Sequence, residues 1–425
     1  MIPKARKARA SVQIDETRKQ KVLKIAYANW LEGIYNLRFL EALAKKYDVY
    51  TIFFAHQINE TFKRTRYTKF RVPPGIRKIK FQEPPMLPIP LNIRLAHHIG
   101  TVAWVFKMLA RAVIFRRFIR KINPDLLIGH GISGTNPYGF CSALSGYHPF
   151  LAVVWGSDIL VEARNSLIFR LIAKYILNKA DGVIVDSEVQ KKAAMELGCN
   201  ENKIWKFPWG IDLEDFNPNI SGLEAKRRLG WENNKLIISN RNHFSVYGIE
   251  YLIGAIPIVV KEMPEARFLI IGNGPLTKAL KKMTKKLGVT RYTHFIGRVP
   301  NQQIPMYLRA ADIYVSTSFS DGASASLLEA MACGLPVVVT DIPANNEWIQ
   351  NGKNGFLVPI KDSKILAEKI IFLAKNNNIR KLMGKSNVEV AKVKADWKQN
   401  VNVFYDAIQT LAAIKDITKN TASNT

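Results

Sequence analysis

The 425-residue sequence predicts an α/β fold of two doubly wound, Rossmann-like lobes facing each other across a cleft. Three observations predict it. Short apolar runs alternate with helical patterns along the chain, the rhythm of a parallel sheet with helices on both faces. The runs end in polar or glycine-bearing loops, where such sheets bind ligands. A Pro/Gly break, FPWGID (207–212), divides the runs into two series.

The elements follow in order. The opening MIPKARKARASVQIDETRKQ is polar and basic, lacks the apolar core of a secretory signal, and reads as a flexible tail over 1–20. KVLKIAYANW (21–30), a loop with Gly33, a helical pattern over 35–46 and a second run over 48–54 make a parallel βαβ unit. Residues 60–90, rich in proline and basic residues, predict irregular structure, and 91–122 predict a basic helix. DLLIGHG (125–131), PFLAVVWGSD (149–158) and GVIVDS (182–187) predict buried strands. After the break come KLIISNR (235–241), RFLIIGNG (267–274), THFIGR (293–298), ADIYVSTS (311–318) and PVVVTD (336–341). The first lobe is expected over 21–208 and the second over 209–394, with a helix at 395–415 packing back on the first.

Composition narrows the function classes. A hydrophobic content of 48% suffices for full cores and argues against disorder. Cys141, Cys199 and Cys333 are few and widely spaced, so neither a disulfide framework nor a zinc site is expected. The net charge of +28 is uneven: 34 basic and 15 acidic residues precede Ile211, leaving 28 and 19 after it. The basic first half therefore suits a polyanionic partner. Arg94, Lys107, Arg111, Arg116, Arg117, Arg120 and Lys121 lie in the helical region 94–121 with Trp104, Phe106 and Phe118, a pattern fit either for an anionic bilayer or for a solvated helix face. No stretch there is apolar enough to span a membrane.

The strand-end rule places candidate ligand groups at one rim of each lobe: His130, Trp155–Asp158 and Asp186 on the first, Arg241, Gly272–Gly274, Gly297–Arg298, Asp321 and Asp341 on the second. The most informative stretch is STSFSDGASASLLEAMACGLPVVVTD (316–341). A strand ends near Ser318, a small-residue loop follows (Asp321, Gly322, Ala323, Ser324, Ala325), and a helix starts near Ser326. Free amides at that helix start suit a phosphate. The same residues also admit a structural reading: Ser326 and Glu329 fit a capping box, and Asp321 an Asx turn.

DGASASLLEAMACGLPVV resembles the signature of the retaining GT-B glycosyltransferases of family 4, also called group 1, with Asp321 and Glu329 standing for that family's paired acids seven residues apart. ADGVIVDSE (180–188), FPWGIDLEDFNP (207–218), FLIIGNGP (268–275), FIGRVP (295–300) and NGFLVP (354–359) extend the resemblance over roughly 180–360. The resemblance implies a nucleotide diphosphate sugar as co-substrate, with Glu329 on the donor ribose and Asp321 and the backbone of Gly322, Ala323, Ser324 and Ala325 on the transferred sugar and phosphates. Gly297, Arg298 and Val299 would line the base, Gly272 and Gly274 the adjoining donor rim, and Arg241 would neutralise the diphosphate. Three positions depart from the pattern: Tyr247 precedes Gly248 where lysine is usual, Gly33 stands alone where two glycines are frequent, and Trp155 replaces a histidine.

Under that resemblance the acceptor, a saccharide or lipid-linked sugar, attacks from the leaving-group side. A departing phosphate oxygen takes its proton, and the protein supplies position and electrostatics. Asp321, His130 and Asp158 are the candidate catalytic residues, the last two orienting the acceptor; His130 also fits a loop histidine and Asp158 a helix cap. The expected enzyme is a retaining hexosyltransferase of cell-surface glycan or glycolipid synthesis. It is expected to be cytoplasmic, either free or peripheral on the cytoplasmic membrane face, without metal or other cofactor. IGNGP lacks the G-x-G-x-x-G spacing of a dinucleotide fingerprint. The alternatives are an epimerase or phosphorylase of the same fold, and a non-catalytic polyanion or nucleic-acid binder. No nucleic-acid partner is expected.

Overall fold

A computed structural model describes residues 22–29, 34–54, 76–81, 96–132 and 137–423. The 1–20 tail, Gly33 and Arg94 lie outside the described residues.

Two parallel sheets organise the chain. The first holds β1 (Lys24–Ala28), β2 (Asp48–Phe54), β3 (Ile76–Phe81), β4 (Leu126–His130), β5 (Phe150–Val153), β6 (Gly182–Val185) and β7 (Ile204–Lys206), in the order β3-β2-β1-β4-β5-β6-β7. The second holds β8 (Lys235–Ser239), β9 (Ala266–Ile271), β10 (Thr293–Gly297), β11 (Ile313–Ser316), β12 (Val337–Thr340) and β13 (Gly355–Val358), in the order β10-β9-β8-β11-β12-β13. Apart from β7 the orders match. Strand order reverses between β1 and β4 in one sheet and between β8 and β11 in the other, the places where doubly wound sheets open a crevice. The fold is the predicted α/β architecture of two doubly wound sheets.

The central strands form because their sequences are continuous apolar runs, buried on both faces: every residue of β4, β5, β6, β11 and β12 is buried. The strands that sequence reading passed over, β3, β7 and β13, all lie at sheet edges. An edge strand packs one neighbour only, so it needs no apolar run and tolerates charge. β3 reads IRKIKF, inside the stretch expected to be irregular, and β7 reads IWK.

The break between halves is pinned rather than open. Phe207 and Ile211 are fully buried. The Ile211 amide donates to Ala395 O (2.7 Å), and the Trp397 amide donates to Ile211 O (3.0 Å), so the chain crosses between halves twice, side by side. The helix Trp397–Ser423 then lays Val401, Phe404, Ile408 and Leu411 into the core formed by Leu126, Ile128, Ile184 and Phe207 under the first sheet. No helix among the described residues is long and apolar enough to cross a membrane.

Candidate active site

The site grows from β8 and β11, on either side of the second sheet's reversal. β8 delivers Asn240 and Arg241 one and two residues past its end. β11 leads through Thr317 and Ser318 into the small-residue loop, and the helix Ala325–Ala332 follows. Its sequence, ASLLEAMA, is rich in strong helix formers. It stops where Gly334 turns left-handed (φ 76°).

Arg241 is the hub. Its Nη1 donates to Ser324 Oγ and Ser326 Oγ, both at 2.8 Å, and its Nη2 donates to Asp321 Oδ2 at 2.5 Å. Tyr247 lies over the guanidinium, 4.1 Å from ring centroid to Cζ. Burial works against the charge. Asp321 beside it, together with Tyr247 and Tyr314, holds the guanidinium above its ordinary pKa. Tyr247 thus stabilises the Arg241 cation through its ring face and adds no positive charge of its own. Arg241 Nε is buried and has no hydrogen-bond partner among the described residues.

The capping-box reading does not hold. The N-cap is Ser324, without a side-chain cap bond. Ser326 Oγ receives Arg241 Nη1 and the Tyr314 hydroxyl (3.0 Å), while Glu329, one turn into the helix, accepts from Asn240 Nδ2 at 3.1 Å. Glu329 therefore faces the strand end, not the helix start. The loop reaches across to the first half. Ala323 N donates to Asp186 Oδ1 at 3.1 Å, and Gly322 is buried so closely that a Cβ there would lie 2.5 Å from both Asp186 Oδ1 and Gln190 Nε2. In return Glu347 Oε1 accepts the amides of Glu188 (2.9 Å) and Val189 (3.3 Å), capping the first-half helix Glu188–Glu196. Burial pushes the Asp186 carboxyl up to about 6, the Ala323 amide opposing and the Asp321 charge adding.

The remaining expected residues divide. Gly272 and Gly274 pack onto the Arg241 loop: Gly272 (φ 130°) leaves only 2.4 Å between a would-be Cβ and Arg241 O, and Gly274 leaves 2.5 Å to His243 O. Gly297 accepts the Gly272 amide through its carbonyl (2.8 Å), Val299 is half-buried and Arg298 is exposed. Asp158 is buried, and its Oδ2 accepts the amides of Ile132 (2.9 Å) and Trp155 (3.0 Å), tying together the loops after β4 and β5. His130 is fully buried among Tyr27, Phe39 and Trp155. Burial lowers its pKa to about 3, and neither ring nitrogen has a hydrogen-bond partner among the described residues. A substrate cannot touch it in this conformation. Gln190, Asn240, Tyr314 and Glu347 were not singled out from sequence. Only Asp186 carried a signal, its place at a strand end.

Between the halves a cavity of about 330 Å³ remains open, lined by Trp155, Gly156, Ser157, Val161, Asp186 and Trp209 on one side and Val246, Tyr247, Ser320–Ala323 and Ala325 on the other. Among the described residues no three His, Cys, Asp or Glu side chains gather as metal ligands would.

Known proteins match this layout. Residues 223–389 match the family model described as glycosyl transferases group 1, and residues 92–187 match glycosyl transferase 4-like. An uncharacterised glycosyltransferase of Methanocaldococcus jannaschii is 28% identical over 255 residues, 59% of this chain and 64% of that protein. The sulfoquinovosyl transferase SQD2 of Arabidopsis thaliana is 29% identical over 235 residues, 53% of this chain and 44% of its own. Both matches span less than two thirds of those relatives. HepE of Anabaena, solved in complex with UDP, superposes with a TM-score of 0.71 at 18% identity, covering 92% of this chain and 100% of its own; at that identity the likeness concerns the fold. By its two matched segments and its paired doubly wound sheets, the chain belongs to the glycosyl transferases group 1 family.

Proposed function

We propose that the protein transfers a sugar, with retention of configuration, from a nucleotide diphosphate donor to a saccharide or lipid-linked acceptor. The observation that carries this reading is the Arg241 cluster: a buried guanidinium, flanked by Asp321, Ser324 and Ser326, at the start of an eight-residue helix and at the reversal point of its sheet. Arg241 Nε is buried without a hydrogen-bond partner among the described residues, so a phosphate oxygen that reaches it after a local rearrangement displaces no existing bond. The first amides of the Ala325–Ala332 helix add positive potential where charge builds on the leaving diphosphate. Glu329 suits the ribose hydroxyls, since an ionised carboxylate accepts two such bonds.

In this reading the acceptor oxygen attacks the anomeric carbon from the leaving-group side as the bond to the diphosphate breaks. The acceptor's proton passes to the departing phosphate oxygen. No protein base is required, which accords with the buried position of His130. A phosphatidyl-myo-inositol mannosyltransferase of Mycobacterium leprae, 26% identical over 238 residues, supports a lipid-linked acceptor. The lack of a metal or other cofactor is part of the proposal.

The test is calorimetric titration with UDP-, GDP- and ADP-sugars, followed by product analysis. One donor is expected to bind in the micromolar range and to yield a glycoside with the anomer of the donor. Glu329→Ala and Arg241→Ala should each abolish that binding. Binding unchanged in both variants would overturn the site; conversion of the donor to its epimer would overturn the transfer.

A further inference from the structure

The open cavity does not have the chemistry of a diphosphate site. Its lining carries two carboxylates, Asp186 and Asp321, and no lysine or arginine; Arg241 stands behind Asp321. Away from the helix start, such walls offer a diphosphate no cationic side chain. They suit a neutral polyol, whose hydroxyls donate to carboxylates. The cavity volume falls at the small end of ligand pockets, which span roughly 300–1,000 Å³.

Its first-half wall is aromatic and held rigid. Trp155 is half-buried and lines the cavity beside Trp209. The two indoles stack at 4.6 Å with 29° between planes. Trp209 is itself held edge-on by Phe39 at 4.7 Å and stacks with Phe207 at 6.4 Å, both fully buried. The Trp155 backbone is pinned by Asp158 Oδ2 at 3.0 Å. Neither the ring nor its loop needs to be ordered on binding, which lowers the entropic cost of using it. A half-buried indole beside hydroxyl acceptors matches a pyranose, which has an apolar C–H face and a polar rim.

We propose that Trp155, backed by Trp209, is a stacking platform for a pyranose ring, with Asp186 and Asp321 accepting its hydroxyls. This rests on the glycosyltransferase reading and sharpens it, making Trp155 and Asp186 determinants of which sugar is taken. The ring belongs either to the donor or to the acceptor, and the experiment separates them.

Wild type, Trp155→Ala and Trp155→Phe are titrated with UDP, UDP-glucose, GDP and GDP-mannose. In a second arm they are titrated with methyl α-D-glucopyranoside and methyl α-D-mannopyranoside in the presence of UDP or GDP. If the ring is the transferred sugar, Trp155→Ala raises the Kd of the sugar nucleotide about tenfold, or ~1.4 kcal/mol, and leaves the free nucleotide unchanged. If it is the acceptor, Trp155→Ala spares every nucleotide and removes glycoside binding. In both cases Trp155→Phe retains binding within about threefold, and the unchanged Kd of Trp155→Ala for the free nucleotide excludes a folding defect. Two outcomes overturn the platform: Trp155→Ala changes nothing, or UDP and GDP weaken as much as their sugar forms, which would place the nucleotide there. Failure of wild type to bind any nucleotide sugar would instead sink the proposed function, and the glycoside arm alone would then decide the platform.

Discussion

The two halves share a strand order yet use the same place differently. At the second sheet's reversal, between β8 and β11, stands a polar cluster around a buried, fully charged Arg241. At the first sheet's reversal, between β1 and β4, the strand ends at His130, neutral and enclosed by aromatic rings. Asp321 in the second half pairs with a cation. Asp158 in the first half pairs with two backbone amides and serves to bind loops together. A doubly wound sheet supplies the crevice, and the side chains at its rim decide whether it holds an anion or becomes a wall. In the proposed function the second half holds the anion, and the first half closes over it.

The largest effect that could break this division comes from removing one buried charged group on each side. Arg241→Ala should lower kcat/KM by about 10²–10³-fold, ~3–4 kcal/mol, while Asp321 loses its partner. Asp158→Ala should act through stability, lowering Tm by several degrees because two buried amides lose their acceptor, with kcat/KM of the folded enzyme retained within about tenfold. Steady-state kinetics and calorimetry on both variants check this. A 10³-fold loss from Asp158→Ala at unchanged Tm would give the first half a chemical role.

Next in size is the seam. Gly322→Ala puts a methyl group 2.5 Å from Asp186 Oδ1 and Gln190 Nε2. Both are side-chain ends, buried at a helix start clasped by Glu347, so either they rotate out of their hydrogen bonds or the halves part. The expected result is a larger radius of gyration by small-angle scattering and a KM for donor raised about tenfold, the scale of a small misplacement in a preorganised site. An unchanged radius and KM would show that the seam is already loose.

How much of this was legible beforehand follows the physics of each element. The central strands, the Gly334 stop and the small-residue loop announce themselves, because burial on two faces and a left-handed turn each restrict residue type locally. Edge strands such as β3 do not, since a single packed face leaves their composition free. In the site, Arg241, Asp321 and Glu329 are readable from motif spacing. The capping-box signal of Ser326 misleads because the same hydroxyl serves Arg241 from a distant strand. Asp186 shows only its strand-end place, and its pairing with Ala323, like the roles of Gln190 and Glu347, depends on how two halves meet, since pairings more than a hundred residues apart leave no local pattern.

A smaller effect tests the seam's charge. Folding raises the Asp186 carboxyl to about 6 through burial, so above that pH the folded chain carries a desolvated charge. Stability is therefore lost as pH climbs through about 6 and is regained toward pH 4, where the folded state binds the extra proton. Asp186→Asn keeps an acceptor for Ala323 N and removes the charge. It should melt higher than wild type by roughly 2–4 °C at pH 7.5, with the gain vanishing near pH 4. A lower Tm for the variant at pH 7.5 would mean that the carboxylate–amide bond outweighs desolvation.

The smallest expected effect bears most directly on what the first half does. His130 presents two ring nitrogens without partners among the described residues to a fully buried, aromatic setting. Leaving such a group unsatisfied costs ~1–3 kcal/mol, so an apolar side chain of similar volume should be tolerated or favoured. His130→Leu is expected to hold kcat/KM within about twofold and to leave Tm unchanged or a few degrees higher, measured by initial rates and differential scanning calorimetry. Loss of more than tenfold in kcat/KM with a normal melt would show that the imidazole leaves its aromatic box during turnover. The first half would then contribute a reacting group as well as a wall, and its reversal point would rank with the second's.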